Sequence, residues 1–145
     1  MIKKITALNT ISVRNSVLRA GKNIESCLFE GDNLETTKHF GFFIDKKMVG
    51  VASIYENRNK LFKEFNQFQI RGMAILEDYQ NKRFGEKLVL HCENYALLNQ
   101  SNLIWFNARI NAVAFYERLG YSKLGEAFEI LEIGKHFVMF KSFSD

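Results

Sequence analysis

The chain has 145 residues, of which 47% are hydrophobic and 25% charged, as expected for one globular domain with its own core. The net charge of +4 is modest and the lysines are scattered, so nucleic acid is not required as a partner. No apolar stretch has the length of a membrane span or of a secretory signal. The only cysteines, Cys27 and Cys92, lack metal-like spacing, so we expect one cytoplasmic domain, residues 1–145, with reduced thiols and no membrane partner.

The predicted elements lead from a strand, a helix and a hairpin into a strand–helix–strand–helix unit and a final strand pair. Apolar residues alternate in the strands and recur every three to four residues in the helices. The first elements in chain order are a strand at 2–8, a helix at 10–20 ending near Gly21, and an irregular or briefly helical stretch at 22–37. A hairpin of 40–44 and 48–55 and a charged loop at 56–65 follow. The remaining elements are a strand at 67–76, a helix at 83–99, a strand at 102–108, a helix at 111–119 ended by Gly120, and strands at 124–133 and 135–141.

This order of elements is typical of a mixed-sheet α/β fold. Strands 67–76 and 102–108 can be parallel neighbours only if a crossover connects them, and helix 83–99 supplies that crossover. We therefore predict an α/β (α+β mixed) fold with a central sheet flanked by helices.

Residues 69–90 contain a strand, a short polar turn and the start of a helix. A turn that leads into a helix exposes unpaired backbone N–H groups at the positive end of the helix dipole, an arrangement that binds phosphate. Here Lys82, Arg83 and Lys87 add positive charge, and Gly85 allows backbone to come close to a ligand. The segment can therefore hold a phosphorylated cofactor, although many α/β proteins contain a similar unit.

The same turn resembles the cofactor signature of the GNAT superfamily, the acyl-CoA-dependent N-acetyltransferases. That signature is Arg or Gln, two residues, Gly, one residue, then Gly or Ala, directly after the fourth strand. Gln80 and Gly85 match its first and last positions. Arg83 stands where the middle Gly is expected, and Asn81 stands where Gly is frequent. These differences predict a less close backbone approach to a pyrophosphate, with the Arg83 side chain turned away or used as a phosphate partner.

A second segment, LIWFNARINAVAFYERLGY at 103–121, resembles the fifth strand and following helix of the same family. The two segments occur in the family's order and at a family-like separation. The matching residues of the second segment are Asn111, Ala114, Phe115, Tyr116, Glu117, Leu119, Gly120 and Tyr121. Shorter similarities to a bacterial subgroup without a settled substrate lie around Arg14, Phe29, Asp32, His39, Arg71, Trp105 and the stretches GEAFEI and IGKHFVM.

The resemblance implies a GNAT-type fold with a mostly antiparallel sheet, in which strands 67–76 and 102–108 splay apart around the acyl-CoA arm. It implies acetyl-CoA as cosubstrate and direct transfer of acetyl to a primary amine, without a covalent enzyme intermediate. Cys92 on an apolar helix face agrees with the absence of a nucleophile. The cofactor-binding residues implied are Met73, Ala74, Ile75, Gln80, Asn81, Lys82, Arg83, Phe84, Gly85 and Asn111.

Tyr116 is the catalytic residue that the resemblance implies. A phenol is neutral at pH 7 and can protonate a leaving thiolate. The alternative is a core aromatic, since Val113, Tyr116 and Leu119 form an apolar stripe. Asn111, at the start of the same helix, is expected to be its N-cap as well.

The sequence offers only scattered candidates for the residues that bind the amine acceptor. No general base is evident, and Glu129 and His136 on the last strand pair are candidates for substrate binding or base work. Arg71 and Arg109 fall on or just after the splayed strands, where they could bind an acceptor carboxylate or form ordinary ion pairs. The acceptor could be a small amine, an amino acid, an antibiotic or a protein N-terminus. The histidines and cysteines are too dispersed to suggest a metal.

Two other functions remain open. A non-catalytic acyl-CoA-binding or regulatory module is favoured slightly by Asn81 and Arg83, because both replace glycines of the signature. The net charge and the 14% aromatic content permit a nucleic-acid-binding domain, but no basic–aromatic platform is visible, so we expect no nucleic-acid partner. A homodimer that pairs the final strands is also open.

Overall fold

The computed structural model describes residues 1–143 and confirms the mixed α/β fold. All of the described strands belong to one seven-stranded sheet in the order β1-β2-β3-β4-β5-β7-β6. Neighbouring strands are antiparallel except β4 and β5, which are parallel. The strands are β1 Ile2–Ile5, β2 Lys38–Ile44, β3 Lys47–Glu56, β4 Gln67–Ile75, β5 Leu103–Arg109, β6 Ser122–Ile130 and β7 Gly134–Ser142.

Helices cover both faces of the sheet. The α-helices are α1 Ala7–Val13, which continues into a π-helical turn at Arg14–Leu18, α2 Phe84–Leu98 and α3 Val113–Arg118. Single 3₁₀ turns lie at Ile24–Cys27, Glu77–Tyr79 and Ile110–Ala112. Within the described part of the chain, no helix is both long enough and apolar enough to cross a membrane.

The boundary between the first strand and the first helix lies earlier in the chain than the sequence predicted. Strand 2–8 ends at Ile5, and α1 begins at Ala7, because Thr6 caps the helix. The Asn9 N–H donates to Thr6 Oγ1 at 3.2 Å, and the Thr6 N–H donates to Asn9 Oδ1 at 3.1 Å. This reciprocal capping box fixes the helix start more strongly than the apolar spacing that the prediction used.

Strands β4 and β5 splay apart, as predicted. They pair only from Gln67–Leu103 to Gln69–Trp105, although both continue well beyond that point. The β5-facing edge of β4 therefore has no strand partner after Gln69. That edge lines an open cleft, and its backbone groups are available to a ligand.

A bulge in β4 shapes the cleft. Val51 lies opposite Ala74 while Ser53 lies opposite Arg71, so β4 contains one residue more than β3 over this stretch. Gly72 within it has a φ of 66°, a conformation that glycine adopts without strain. A Cβ atom at Gly72 would also come within 3.0 Å of Arg14 Nε, so the bulge rests directly on that side chain.

The main core lies between α2 and the sheet. Leu88, Val89, Cys92 and Ala96 face the strands with no exposed surface. Burial raises the pKa of the Cys92 thiol to about 12, so it stays protonated on the buried face of α2. On the other face, Val13 packs with residues of β3 and β4. The helices thus hold β4 from both sides.

Candidate active site

Two adjoining cavities occupy the cleft between the diverging ends of β4 and β5. The first, here the turn groove, measures about 760 Å³ and extends from β4 to the start of α2. The second, here the arginine cavity, measures about 310 Å³ and is bordered by β4, β5 and the β6–β7 turn. They share a wall made of Met73, Asn111, Ala112 and Phe115.

The turn groove brings together nine of the ten residues that the resemblance assigned to the cofactor; Lys82 is exposed and lies outside its lining. The nine are Met73, Ala74, Ile75, Gln80, Asn81, Arg83, Phe84, Gly85 and Asn111. The predicted N-cap role of Asn111 is wrong. Residues 110–112 form a 3₁₀ turn, α3 begins at Val113, and its N-cap Ala112 makes no side-chain hydrogen bond.

The turn before α2 has a backbone that suits glycine but carries larger residues. Asn81 has a φ of 64° and Arg83 a φ of 66°, both in the left-handed region. A non-glycine residue there costs about 1 kcal/mol or more. The substitutions noted in the sequence therefore change the side chains around the turn, while the backbone still adopts left-handed conformations.

The start of α2 offers unpaired donors to the groove. Arg83 is the N-cap and provides no side-chain cap, so the N–H groups of residues 84–86 have no intrahelical acceptor. Gln80 Nε2 donates to Ile75 O at 2.8 Å and ties the turn to the end of β4. Gly85 lies close to the shared wall, since a Cβ there would be 3.4 Å from Phe115 Cζ.

Arg118 also lines the turn groove, and sequence reasoning missed it. It is exposed and adds a second guanidinium to that of Arg83. Asn111, Phe115 and Arg118 have an i, i+4, i+7 spacing, which could have indicated that they share one face.

Tyr116 lines the arginine cavity and contacts Phe115 of the shared wall, so it lies beside the junction of the two cavities. It is 8% exposed and packs against Phe106, with ring centroids 4.3 Å apart, and against Phe115 at 5.0 Å. Burial raises the pKa of Tyr116, so its phenol is neutral at pH 7. Its hydroxyl has no hydrogen-bond partner within residues 1–143, and the residue lines the arginine cavity. Tyr116 is thus a core aromatic whose hydroxyl remains available to a ligand.

Three arginines line the arginine cavity, and no aspartate or glutamate does. Arg71 and Arg109 were predicted at this side; Arg19, from the end of the π-helical turn, was not. Arg71 donates to Glu30 O at 3.2 Å, and Arg19 and Arg109 both donate to Leu18 O, at 3.2 and 3.3 Å. None of the three has a carboxylate within salt-bridge distance in the described chain.

The structure separates the two other acceptor-side candidates. His136 is 4% exposed and lines the arginine cavity, whereas Glu129 is exposed, faces Lys135 across the β6–β7 pair and lines neither cavity. His136 Nδ1 lies 2.8 Å from Gly134 O. Because a carbonyl oxygen only accepts, Nδ1 carries a proton and donates it, and Nε2 has no hydrogen-bond partner within residues 1–143.

A buried polar network supports the floor of the arginine cavity. Arg14, which has no exposed surface, pairs with Asp32 at 2.7 Å and stacks on Phe29, 3.9 Å from its ring centroid. It also donates to Cys27 O, to Ser53 Oγ and to the Tyr55 hydroxyl. Several short motifs that looked like a bacterial subgroup, around Arg14, Phe29, Asp32 and His39, thus meet at one place in the fold.

Burial and hydrogen bonds shift the pKa values of Asp32, Tyr55 and His39 in this network. Burial alone would raise the pKa of Asp32, but hydrogen bonds from Arg14 and Tyr55 outweigh it and hold that pKa below its usual value. Burial, with the hydrogen bond to Asp32, raises the pKa of Tyr55 to about 12. Burial lowers the pKa of His39, so its ring is neutral. His39 donates from Nε2 to Asp32 O at 2.9 Å and accepts from Ser53 through Nδ1 at 2.6 Å.

A sequence model described as the acetyltransferase (GNAT) family matches residues 14–121, which include β2 to β5 and both walls of the cleft. This chain belongs to the GNAT family, and it is an acyltransferase. The GNAT assignment agrees with the splayed strands and with the turn groove. Within residues 1–143 no group of three or more His, Cys, Asp or Glu could hold a metal ion.

Related proteins support the same assignment. The GNAT chain is 34% identical over 141 residues to YitI, an uncharacterized N-acetyltransferase of Bacillus subtilis (strain 168), covering 97% of this chain and 95% of that protein. Among the solved structures that share its fold are two acetyltransferases. One is an aminoglycoside 6'-N-acetyltransferase complexed with coenzyme A, with a TM-score of 0.78, 11% identity and coverage of 98% and 96%. The other is a ribosomal-protein-alanine N-acetyltransferase from Brucella melitensis, with a TM-score of 0.74, 12% identity and 99% coverage of both chains.

Proposed function

We propose that this GNAT protein uses acetyl-CoA to acetylate a primary amine directly, in a complex that holds both substrates. The observation that supports this most strongly is the meeting of two cavities at one wall. The turn groove offers phosphate-binding groups and the arginine cavity offers a separate site. Tyr116 lies beside their shared wall, and its hydroxyl has no hydrogen-bond partner within residues 1–143.

The turn groove fits a CoA chemically. Acetyl-CoA would supply an acetyl thioester on an amide-containing arm that ends in a pyrophosphate. The unpaired N–H groups of residues 84–86 and the guanidiniums of Arg83 and Arg118 suit the pyrophosphate. The unpartnered edge of β4, at Met73, Ala74 and Ile75, can hydrogen-bond the amides of the arm.

The protein groups at the junction can perform the proton transfers that the reaction needs. As the amine nitrogen bonds to the acetyl carbon and the C–S bond breaks, the Tyr116 hydroxyl gives its proton to the departing sulfur. The proton lost by the amine can go to His136 Nε2, directly or through water. A backbone N–H of the β4 edge can donate to the carbonyl oxygen as negative charge develops on it.

We propose a cytoplasmic enzyme without a nucleic-acid or membrane partner. The predicted pairing of the final strands is wrong, because β7 lies inside the sheet between β5 and β6. The edge strand β6 could instead pair with a second copy to form a homodimer. Sedimentation velocity would test that arrangement.

Calorimetric titration with acetyl-CoA, CoA and ATP, followed by an amine screen that detects released thiol, tests the proposed function. We expect micromolar binding of acetyl-CoA and CoA, much weaker binding of ATP, and amine-dependent thiol release. The absence of acetyl-CoA binding would contradict the proposal. Binding without turnover of any amine would instead favour a non-catalytic acyl-CoA-binding module.

A further inference from the structure

We propose that the acceptor is a small amine that also carries an anionic group, a carboxylate or a phosphate, which Arg71 and Arg109 bind with help from Arg19. This inference rests on the proposed function and specifies its substrate class. The three guanidiniums come from three separate parts of the fold, the π-helical turn, β4 and β5, and converge on the arginine cavity.

Within residues 1–143, no carboxylate pairs with the arginines of this cavity. Asp32 is a buried carboxylate next to Phe29, but Arg14 binds both of its oxygens, at 2.7 and 3.2 Å, and Tyr55 binds one of them as well. Arg19, Arg71 and Arg109 contact backbone carbonyls instead. A carbonyl satisfies an N–H donor but does not cancel a unit charge, so the cavity retains a net positive charge.

The guanidiniums are held in place before any ligand binds. Arg71 and Arg19 lie 4.9 and 5.3 Å from the centroid of the Phe29 ring, which Arg14 also contacts. Arg109 shares the Leu18 carbonyl with Arg19. Burial lowers the pKa of Arg19, and the neighbouring charges of Arg109 and Arg71 lower it further. This repulsion is a cost that a bound anion would relieve.

The size and walls of the cavity favour a small molecule. Its volume of about 310 Å³ lies at the lower end of the roughly 300–1,000 Å³ typical of ligand sites. Phe106, Phe115, Ile130 and Ile133 provide an apolar lining opposite the arginines. A polycationic acceptor such as an aminoglycoside would bring ammonium groups against three uncompensated guanidiniums, so we expect it to be rejected.

Matched acceptors test the inference through turnover. The kcat/KM values of different acceptors are measured with acetyl-CoA saturating. Amino acids are compared with their carboxamides, O-phosphoethanolamine is compared with ethanolamine, and both sets are compared with diamines. We expect the preferred anionic acceptor to exceed its neutral partner by about 10- to 100-fold in kcat/KM, the effect of one or two charged hydrogen bonds. The amino-acid set tests for a carboxylate, and the O-phosphoethanolamine pair tests for a phosphate. Equal turnover of acids and amides, or a preference for diamines, would overturn the inference and leave the proposed function intact.

Binding measurements separate this inference from the proposed function. N-acetylated amino acids and their carboxamides are titrated into the protein with CoA present, using the wild type, Arg71→Gln, Arg109→Gln and Arg109→Lys. We expect the Gln variants to lose the preference for the acid, Arg109→Lys to keep part of it, and the CoA affinity to stay within about twofold. Arg58→Gln, at an exposed position outside both cavities, is the matched control.

Two outcomes of the binding measurements are decisive. If acids and carboxamides bind alike in all variants, the inference is wrong. If acids bind through the arginines but no amine releases thiol from acetyl-CoA, the anion site stands and the proposed function fails.

Discussion

The two cavities of the cleft are built in different ways. The turn groove is formed mainly by one continuous segment, the end of β4, the following turn and the start of α2, and it includes the unpaired N–H groups of residues 84–86. The arginine cavity is assembled from side chains of several separated segments, supported by the buried Arg14–Asp32 network. The difference suggests that cofactor binding depends on local backbone conformation, whereas acceptor selection depends on long-range packing.

Removal of Asp32 should have the largest effect on this arrangement. Asp32→Ala leaves the Arg14 charge buried and unpaired, which costs about 3–5 kcal/mol in the free energy of unfolding. Denaturant unfolding measures this loss, with Glu35→Ala, at an exposed position, as the control. Folded Asp32→Ala protein that still binds acetyl-CoA but selects acceptors poorly would show that the network supports the arginine cavity and not the turn groove. A stability change below about 1 kcal/mol would show that the network does not support the cavity.

Tyr116→Phe tests the junction between the cavities. Loss of the general acid should lower kcat by about 10²- to 10³-fold, because general acid catalysis typically contributes that much. The acetyl-CoA dissociation constant should change by less than about twofold, since the ring remains. Tyr95→Phe, on α2 and outside both cavities, is the control. Wild-type turnover in Tyr116→Phe would assign the residue to the core alone.

Acid should weaken the buried network that supports the floor of the arginine cavity. The pKa of His39 is lower in the folded protein than its ordinary value of 6.5, so its contribution to stability is present above pH 6.5 and lost as the pH falls below it. Thermal unfolding between pH 7 and 5 should show a falling Tm, with a shallower slope in His39→Gln. Burial also lowers the pKa of His91, which accounts for part of the remaining slope. An unchanged slope in His39→Gln would contradict the assignment of a neutral His39.

Arg83 should show the smallest effect, and it separates backbone from side chain in the turn groove. Arg83→Gly and Arg83→Ala remove the same guanidinium, but only glycine relieves the left-handed conformation. We expect Arg83→Gly to be more stable by about 1 kcal/mol and to bind acetyl-CoA more tightly than Arg83→Ala. Equal affinity in both variants, and far below wild type, would show that the side chain matters more than the backbone.

The sequence allowed more of the turn groove than of the arginine cavity to be predicted. Nine of the ten predicted cofactor residues line the groove. Eight of them belong to one strand–turn–helix unit, whose consecutive residues stay together in any fold, and the ninth, Asn111, came from the family resemblance. Arg118 was missed because its helical spacing from Asn111 and Phe115 was not considered. The N-cap prediction for Asn111 failed because a 3₁₀ turn precedes α3.

Most strands and the crossover helix were predictable from apolar spacing, while the exact start of α1 depended on the Thr6–Asn9 capping box. On the acceptor side, Arg19 could not be predicted, since its position depends on how the π-helical turn packs against Phe29. Glu129 and His136 are close in sequence, but the alternation of β6 and β7 places only His136 in the cavity. Long-range packing thus decided the position of Arg19, whereas local capping and strand alternation decided the others.

The central claim is that acetyl passes directly from acetyl-CoA to an amine at the junction marked by Tyr116. The most direct test mixes enzyme and acetyl-CoA in near-equal amounts, measures thiol release without amine, and then adds an anionic amine acceptor. The account predicts no thiol release before the amine and one equivalent after it. Release of one equivalent before the amine is added would show a covalent enzyme intermediate and contradict the account.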